Sequence, residues 1–170
     1  MIEMEDRKLQ GKLLALLEKD QRLRQPGAKM NLAMDRSNTQ ALKKIINNSG
    51  WPKISVVGEE AAKAAWYVAV HSPDLRFKKK CLVLLRKAVR NREASGRLIP
   101  YLVDKICVHE RRSQLYGTQF DIDMRTNTFT PYRVARPDKL EERRKKYSLG
   151  KFKYWTALKN PGGAHRGTRA

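Results

Sequence analysis

Apolar residues recur at intervals of three and four along much of the first 111 residues, and this spacing restricts the possible fold more than any other feature. It places apolar side chains on one side of an α-helix. Leu9, Leu13 and Leu16 illustrate it near the start of the chain. Five such stretches predict five helices, at about residues 4–23, 32–48, 58–71, 73–92 and 98–111.

The pattern changes after Ser113, where apolar and polar residues begin to alternate. Alternation over residues 119–124 and 128–134 predicts a β-hairpin spanning 119–134, with a loop at 125–127. The proline at position 131 favours an edge position for the second strand. We expect an extended segment at 53–57 between the second and third helices.

Asp138 can cap a short helix that reaches about Tyr147. The predicted fold is therefore mainly α: a single-domain helical bundle of about five helices, a C-terminal β-hairpin and a short terminal helix. We expect this domain to cover residues 1–159, and residues 160–170 to form a flexible basic tail.

The net charge of the chain is +20, from 37 basic and 17 acidic side chains, and it is unevenly distributed. Residues 76–112 hold 12 basic and 3 acidic side chains, and residues 133–170 hold the same numbers. The residues between these two blocks are nearly neutral. A basic surface of this strength is typical of nucleic-acid binding, which releases condensed counterions. An anionic membrane surface and a basic surface without a specific ligand are the alternatives.

Several classes of protein find no support in the sequence. Cys81 and Cys107 lie in apolar runs, which favours reduced core residues over a disulfide framework. No signal peptide and no apolar run of about 18 residues is present, so we expect a cytoplasmic protein without membrane partners. The phosphate-binding glycine loop, the paired-cysteine zinc spacing and the nucleophile elbow are all missing, and we expect neither a metal nor a cofactor.

His71 is the histidine with the most suggestive position, because it ends an apolar helix just before a sharp turn. Asp74, three residues later, can orient the imidazole for acid–base chemistry. The alternative is a structural histidine that caps the helix. Asp20 and Arg24 continue the apolar stripe of the first helix. They either form a pair at the helix end or point into a site.

The segment Gln114-Leu115-Tyr116-Gly117-Thr118-Gln119 is the most distinctive polar run. Its side chains offer hydrogen-bond donors and acceptors without charge, which suits the recognition of a polar ligand. A well-bonded structural junction is the alternative interpretation. Asp104 lies nearby in the sequence among apolar neighbours.

Several short motifs stand out together: Asp20-Gln21-Arg22, Met34-Asp35-Arg36, Gly50-Trp51-Pro52, Val57-Gly58-Glu59-Glu60-Ala61, His71, Tyr101-Leu102, Asp104-Lys105 and Tyr116-Gly117-Thr118-Gln119. In this order they resemble a bacterial family of unknown function, the domain-of-unknown-function group numbered 6624. The resemblance runs from about residue 9 to 147. It implies a helical domain but no established activity.

The leading hypothesis is a small enzyme that acts on RNA, or uses a charged tRNA, by cleavage or transfer. A non-catalytic RNA-binding module and a small-molecule enzyme are the alternatives. The predicted catalytic residues are His71, Asp104, Tyr116 and Gln119. The predicted substrate-binding residues are Asp35, Trp51, Gln114 and Thr118. The predicted nucleic-acid-binding residues are Arg76, Lys79, Lys80, Lys87, Arg90, Arg143 and Arg144.

Overall fold

The computed structural model describes residues 4–25, 31–123, 125–126 and 128–154. Within them the chain forms seven α-helices, the last of which is short, and one two-stranded antiparallel sheet between the sixth and seventh helices, so the predicted mainly-α fold is confirmed. The chain divides into two compact units, Met1–Leu102 and Val103–Ala170. The predicted basic tail lies outside the described residues.

The five predicted long helices all form, within a few residues of their predicted ends. They are α1 (Met4–Arg22), α2 (Leu32–Ser49), α4 (Glu59–His71), α5 (Leu75–Arg90) and α6 (Ile99–His109). The remaining two are α3 (Ile54–Val57), described below, and α7 (Leu140–Lys145).

Local chemistry sets the ends of α2 and α5. The side chain of Asn31 accepts a hydrogen bond from the backbone N–H of Met34, and that of Asp74 accepts one from Phe77. Both residues are therefore N-caps, which satisfy amide groups that a helix leaves unpaired. Gly50 ends α2 with a φ of 72°, a conformation that side chains disfavour.

The extended segment predicted at 53–57 is wrong, because the chain forms the one-turn helix α3 there. Its support comes from Glu93, far along the sequence. The Glu93 carboxylate accepts hydrogen bonds from Ser55 N at 3.0 Å and Ser55 Oγ at 2.7 Å. The Glu93 carbonyl also accepts one from Ile54 N. A local pattern cannot report a contact of this kind.

The core of the first unit forms around α4, against which α1 packs most extensively. Ala61 and Ala64 on α4 are almost fully buried, and their small side chains let neighbouring helices approach closely. Leu13 on α1 and Val57 on α3 complete this cluster, and both are fully buried. Burying one such leucine contributes about 2 kcal/mol.

In the second unit, β1 (Phe120–Asp123) pairs antiparallel with β2 (Thr128–Pro131). The hairpin is confirmed, but its strands are shorter than predicted. Beyond Pro131 the backbone N–H of Tyr132 still bonds to the carbonyl of Gln119, and Val134 then forms a parallel bridge with Gln114. The predicted loop lies only partly within the described residues.

A second apolar cluster consists of Val134, Leu140 and Phe152, with Phe120 packed against it. Leu140 begins α7, later than predicted, because residues 137–139 form a 3-10 turn. Asp138 lies inside that turn, and the N-cap position of α7 makes no side-chain cap bond. The predicted cap at Asp138 is therefore wrong.

Candidate functional site

Four ionisable side chains meet within the first unit. Asp20 belongs to the last turn of α1, Arg24 follows that helix, Asp35 belongs to the first turn of α2, and His71 is the last residue of α4. Asp20 is one turn beyond Leu16 on the buried side of α1, which is why its carboxylate points inward. These four residues are called the Asp20–His71 cluster.

The pair at its centre is Asp20 and His71. Nδ1 of His71 lies 2.8 Å from Oδ1 and 2.9 Å from Oδ2 of Asp20. An ionised carboxylate only accepts hydrogen bonds, so Nδ1 carries the proton and donates it. The side chain of Asp20 is 1% exposed and that of His71 is 23% exposed. The imidazole is therefore held from the protein side while part of it remains reachable from solvent.

Fixing Nδ1 also fixes the role of the other ring nitrogen. When the ring is neutral and Nδ1 donates to Asp20, Nε2 has the free lone pair and can accept a proton from a ligand. The buried carboxylate then stabilises the imidazolium that forms. This is the arrangement that a histidine needs to act as a general base and afterwards as a general acid.

Arg24 links the second carboxylate to this pair. Its Nη2 donates a hydrogen bond to Oδ1 of Asp35 and lies 3.6 Å from Oδ1 of Asp20. The cluster thus holds two carboxylates, one guanidinium and one imidazole. It is neutral when His71 is protonated, so the charges compensate one another at partly buried positions.

Two buried donors near these residues in the sequence lack a hydrogen-bond acceptor in the described part of the chain. They are Nε of Arg24 and Nδ2 of Asn38. Asn38 is 3% exposed and lies on the same buried side of α2 as Asp35. Buried polar groups are nearly always paired in folded proteins, so such donors are expected to meet a polar molecule.

The prediction that Asp74 orients His71 is wrong. Asp74 caps α5, and its Oδ2 accepts a hydrogen bond from Nζ of Lys43 at 2.7 Å. These bonds hold the pKa of Asp74 below its usual value, with the Lys43 bond as the largest cause. The partner of His71 is Asp20, which lies 51 positions earlier. Sequence proximity suggested the wrong carboxylate.

The other three predicted catalytic residues belong to the second unit, where Asp104 organises a loop. Its carboxylate accepts hydrogen bonds from the backbone amides of Leu115, Tyr116 and Thr118, at 2.7–3.1 Å, and from the Thr118 hydroxyl at 2.9 Å. Asp104 is fully buried, and this burial raises the pKa of its carboxyl despite the donors. The hydrogen bonds of Asp104 and Thr118 are therefore made within the protein, between Asp104 and the loop that contains Thr118.

Gln114 ties the same loop to the base of the hairpin. Its fully buried side chain donates to the carbonyls of Gln119 and Tyr132 and accepts from the backbone N–H of Gln119. The side chain of Gln119 donates to Thr118. The ring of Tyr116 packs edge-on against Tyr147 at 5.4 Å. The geometry therefore favours the structural-junction interpretation of this polar run, while its contact with substrate stays a prediction.

Trp51 occupies an apolar position in the first unit and is 7% exposed. It lines a cavity of about 10 Å³ together with Ile54, Ala62 and Leu98. A space of that size holds about one water molecule. The Nε1 donor of Trp51 has no acceptor among the described residues. A substrate does not fit in this cavity.

The basic residues predicted on the fourth helix do share one exposed side of α5. They are Arg76, Lys79, Lys80, Lys87 and Arg90, and Arg86 joins them. This set is called the α5 basic face. Sequence reasoning missed Val83, which lies in its middle and is 66% exposed. The seven basic residues of α5 are accompanied by no acidic residue. The face therefore presents a concentrated positive field.

Arg143 and Arg144, also predicted to bind nucleic acid, donate to backbone carbonyls of the second unit. Nε of Arg143 bonds to the carbonyl of Leu115 at 2.6 Å. Nη1 of Arg144 bonds to that of Tyr116 at 2.5 Å, and its Nε to that of Gly150 at 2.8 Å. No pattern in the sequence predicted these hydrogen bonds to backbone carbonyls. Their phosphate contacts stay a prediction.

Fold and site together define a small, mostly helical protein with a buried carboxylate that holds a partly exposed histidine. The chain belongs to the family of unknown function DUF6624, whose model matches residues 7–162. The resemblance seen in the motifs is thereby confirmed. A search of curated proteins and a search of solved structures found no match.

Two further properties apply to the described residues alone. No helix there is both long enough and apolar enough to cross a membrane. No three side chains among the described histidines, cysteines, aspartates and glutamates are placed to hold a metal ion.

Proposed function

We propose that this protein is an RNA-binding enzyme in which Asp20 and His71 provide general acid–base catalysis. One observation carries the catalytic part of the proposal: a carboxylate that is 1% exposed binds Nδ1 of an imidazole that is 23% exposed. A buried carboxylate has no solvation of its own and needs a partner. Here the partner is a side chain that can also reach a ligand.

The chemistry proposed for this pair is activation of a hydroxyl group. Nε2 of His71 removes the proton from the attacking hydroxyl as its oxygen forms the new bond. The resulting imidazolium then gives that proton to the leaving oxygen as the old bond breaks. Positioned acid–base groups of this kind contribute about 10²–10⁴-fold in rate. RNA cleavage by its 2′-hydroxyl and acyl transfer from a charged tRNA to a hydroxyl both need this step.

The α5 basic face supports RNA as the substrate class. Its side chains follow one another at helical intervals, and their spacing lets several of them contact a phosphate backbone at once. If five of them contact phosphates, the logarithm of the binding constant falls with the logarithm of the salt concentration with a slope of about −3.5 for single-stranded segments and about −4.5 for helical stems. Such a slope is a direct measure of the number of contacts.

Binding is tested with fluorescently labelled tRNA over a series of salt concentrations. We expect the triple variant Arg76→Gln, Lys87→Gln, Arg90→Gln to bind at least tenfold more weakly and with a shallower slope. The matched control is Lys8→Gln, Lys12→Gln, Lys44→Gln, which removes three charges from other helices. Equal losses in both variants would mean that only net charge matters, and no binding by the native protein would exclude RNA.

Catalysis is tested by incubating charged and uncharged tRNA with the native protein, Asp20→Asn and His71→Gln. We expect a product from the native protein and a loss of about 10²-fold or more in both variants, because His71→Gln removes the base and Asp20→Asn favours the wrong imidazole tautomer. Nitrogen NMR of the neutral ring should show the proton on Nδ1 in the native protein and on Nε2 in Asp20→Asn. A product formed equally by all three proteins would refute the role of His71.

A second candidate function is a non-catalytic RNA-binding module. The contacts of Arg24 favour it, because they tie the start of α2 to the end of α1 as a purely structural ion network would. This module would show the salt-dependent binding of tRNA without any product. Turnover of a small molecule without RNA binding would instead support a small-molecule enzyme.

A further inference from the structure

A groove runs between α1 and α2 in the first unit and encloses about 630 Å³. The α1 residues that line it recur at intervals of three and four from Glu5 to Lys19, so they form one continuous stripe. Residues 41–49 of α2 form the other wall. This space is called the α1–α2 groove.

The floor of the groove is apolar. Leu9 and Ile45 are partly buried and pack against the core cluster of the unit, and Leu16 is 7% exposed. Ala15 and Ala41 also line the groove, one on each helix. Because their side chains are small, they leave open the space that a larger residue would fill. The floor therefore offers apolar surface to an occupant at little cost in rearrangement.

Four lysines surround this floor: Lys8, Lys12, Lys19 and Lys44. All four are exposed, and Glu5 is the only acidic residue in the lining. Within the described residues none of these ammonium groups forms an ion pair with a carboxylate. Lys8 and Lys19 lie about 16 Å apart along the helix axis. The positive charge is thus spread along the groove.

We propose that the α1–α2 groove binds an acidic amphipathic helix of another protein. Apolar side chains at i, i+3 or i+4, and i+7 of that helix would contact the floor, and its carboxylates would meet the lysines. The geometry matches both properties of such a helix, an apolar side about three turns long and negative charge on either side of it. This interaction is independent of RNA binding and of catalysis.

The distribution of charge and apolar surface favours an acidic helix over three other occupants, namely a fatty acid, RNA and a second copy of this chain. A fatty acid carries one negative charge at one end and would leave most of the lysines without an anion. RNA would satisfy the lysines but would not use the apolar floor. A second copy of this chain carries the same charge of +20 and would be repelled. A separate protein with an acidic helix satisfies both the floor and the lysines.

The test uses a labelled 15-residue peptide, designed with leucine at i, i+3, i+4, i+7 and i+11 and mostly glutamate elsewhere, and the full-length protein. Its binding is followed by fluorescence anisotropy. A scrambled peptide of the same composition is the control for charge alone. We expect the designed peptide to bind at least tenfold more tightly than the scrambled one. Equal binding of the two peptides would overturn the proposal, since it would leave no role for the apolar floor.

Variants then locate the site. Lys12→Glu with Lys44→Glu should weaken binding at least tenfold, whereas Lys87→Glu with Arg90→Glu on α5 makes the same charge change and should have little effect. Ala15→Trp, which fills the floor without changing charge, should weaken binding as well. Circular dichroism confirms that each variant is folded.

Competition experiments distinguish the acidic helix from the two other candidate occupants, RNA and a fatty acid. Excess tRNA and excess laurate are each added to the complex of protein and peptide. If the designed peptide fails to bind while laurate protects the groove from modification of Lys12, the occupant is an anionic amphiphile and the proposal is wrong. If tRNA displaces the peptide from native protein and from the Lys87→Glu, Arg90→Glu variant alike, the groove binds RNA and the proposal is likewise wrong.

Discussion

Adding one methyl group at Gly117 should destabilise the second unit strongly. A Cβ built there would lie 2.8 Å from Cε2 and 3.0 Å from Cδ2 of Phe152. Phe152 cannot easily withdraw, because it is 4% exposed and packs against Val134 and Leu140. Gly117 also has a φ of +65°, where side chains are disfavoured. Both effects oppose Gly117→Ala.

The two contributions can be separated. A left-handed conformation costs an alanine about 1 kcal/mol, and overpacking a core costs about 1–3 kcal/mol. Gly117→Ala should therefore destabilise the unit by about 2–4 kcal/mol. Gly50 provides a control for backbone strain without a clash, since its φ is +72° and an added Cβ would meet nothing within 4 Å. Its ψ of −161° lies in a region that is nearly confined to glycine, so Gly50→Ala should cost about 1–3 kcal/mol through the backbone alone.

Hydrogen exchange measured by mass spectrometry gives the free energy of opening for each unit separately. In Gly117→Ala we expect faster exchange of the slow amides around residues 114–119, by about 30-fold or more, since 1.4 kcal/mol corresponds to tenfold. A further change of Phe152→Leu should recover part of the loss. If Gly117→Ala were equally destabilising in the native and in the Phe152→Leu background, the contact with Phe152 would have no energetic weight and the reasoning would be refuted.

Two more predictions concern titratable groups. Asp74→Asn keeps the N-cap but removes the ion pair with Lys43, so it should lower stability by about 0.5 kcal/mol at pH 7. Because the pKa of Asp74 is lowered in the folded protein, this contribution exists above about pH 4 and is lost as the pH falls further. Urea unfolding at several pH values measures it, and a difference that did not change with pH would contradict the assignment. Burial raises the pKa of Cys81 to about 12. Its thiol should therefore not react with a disulfide reagent at pH 8 until the protein unfolds, and rapid reaction of the native protein would show that Cys81 is accessible.

The long helices could be predicted because the sequence of each helix contains the pattern that defines it. An amphipathic helix repeats its apolar residues within a few turns, and caps such as Asp74 mark its start in the sequence itself. The one-turn helix at Ile54–Val57 could not be predicted in this way. Its hydrogen bonds come from Glu93, which lies 38 positions after Ser55 and beyond the end of α5.

The polar junction of the second unit shows a different limit. The segment from Gln114 to Gln119 stands out in the sequence, and in the structure its groups bond to the loop itself and to the hairpin. A run rich in donors and acceptors looks the same in sequence whether it binds a ligand or itself. The fully buried position of Asp104, with its carboxylate facing the loop amides, favours the second case.

The candidate site could be predicted only in part: one of its residues could be recognised from the sequence, but the partner of that residue could not. Asp20 could be recognised because it continues the apolar stripe of Leu13 and Leu16, and a carboxylate carried to a buried position must find a hydrogen-bonding partner. That requirement predicts a partner without identifying it, since 37 basic residues and 3 histidines compete for the role. The nearest carboxylate to His71 in sequence is Asp74, but its cap bond directs it toward α5 instead.

The pairing of Asp20 with His71 therefore follows from the way α1 packs on α4, which places the ends of both helices together. The alanines of α4 permit that close packing, so the same residues that build the core also bring the carboxylate to the imidazole.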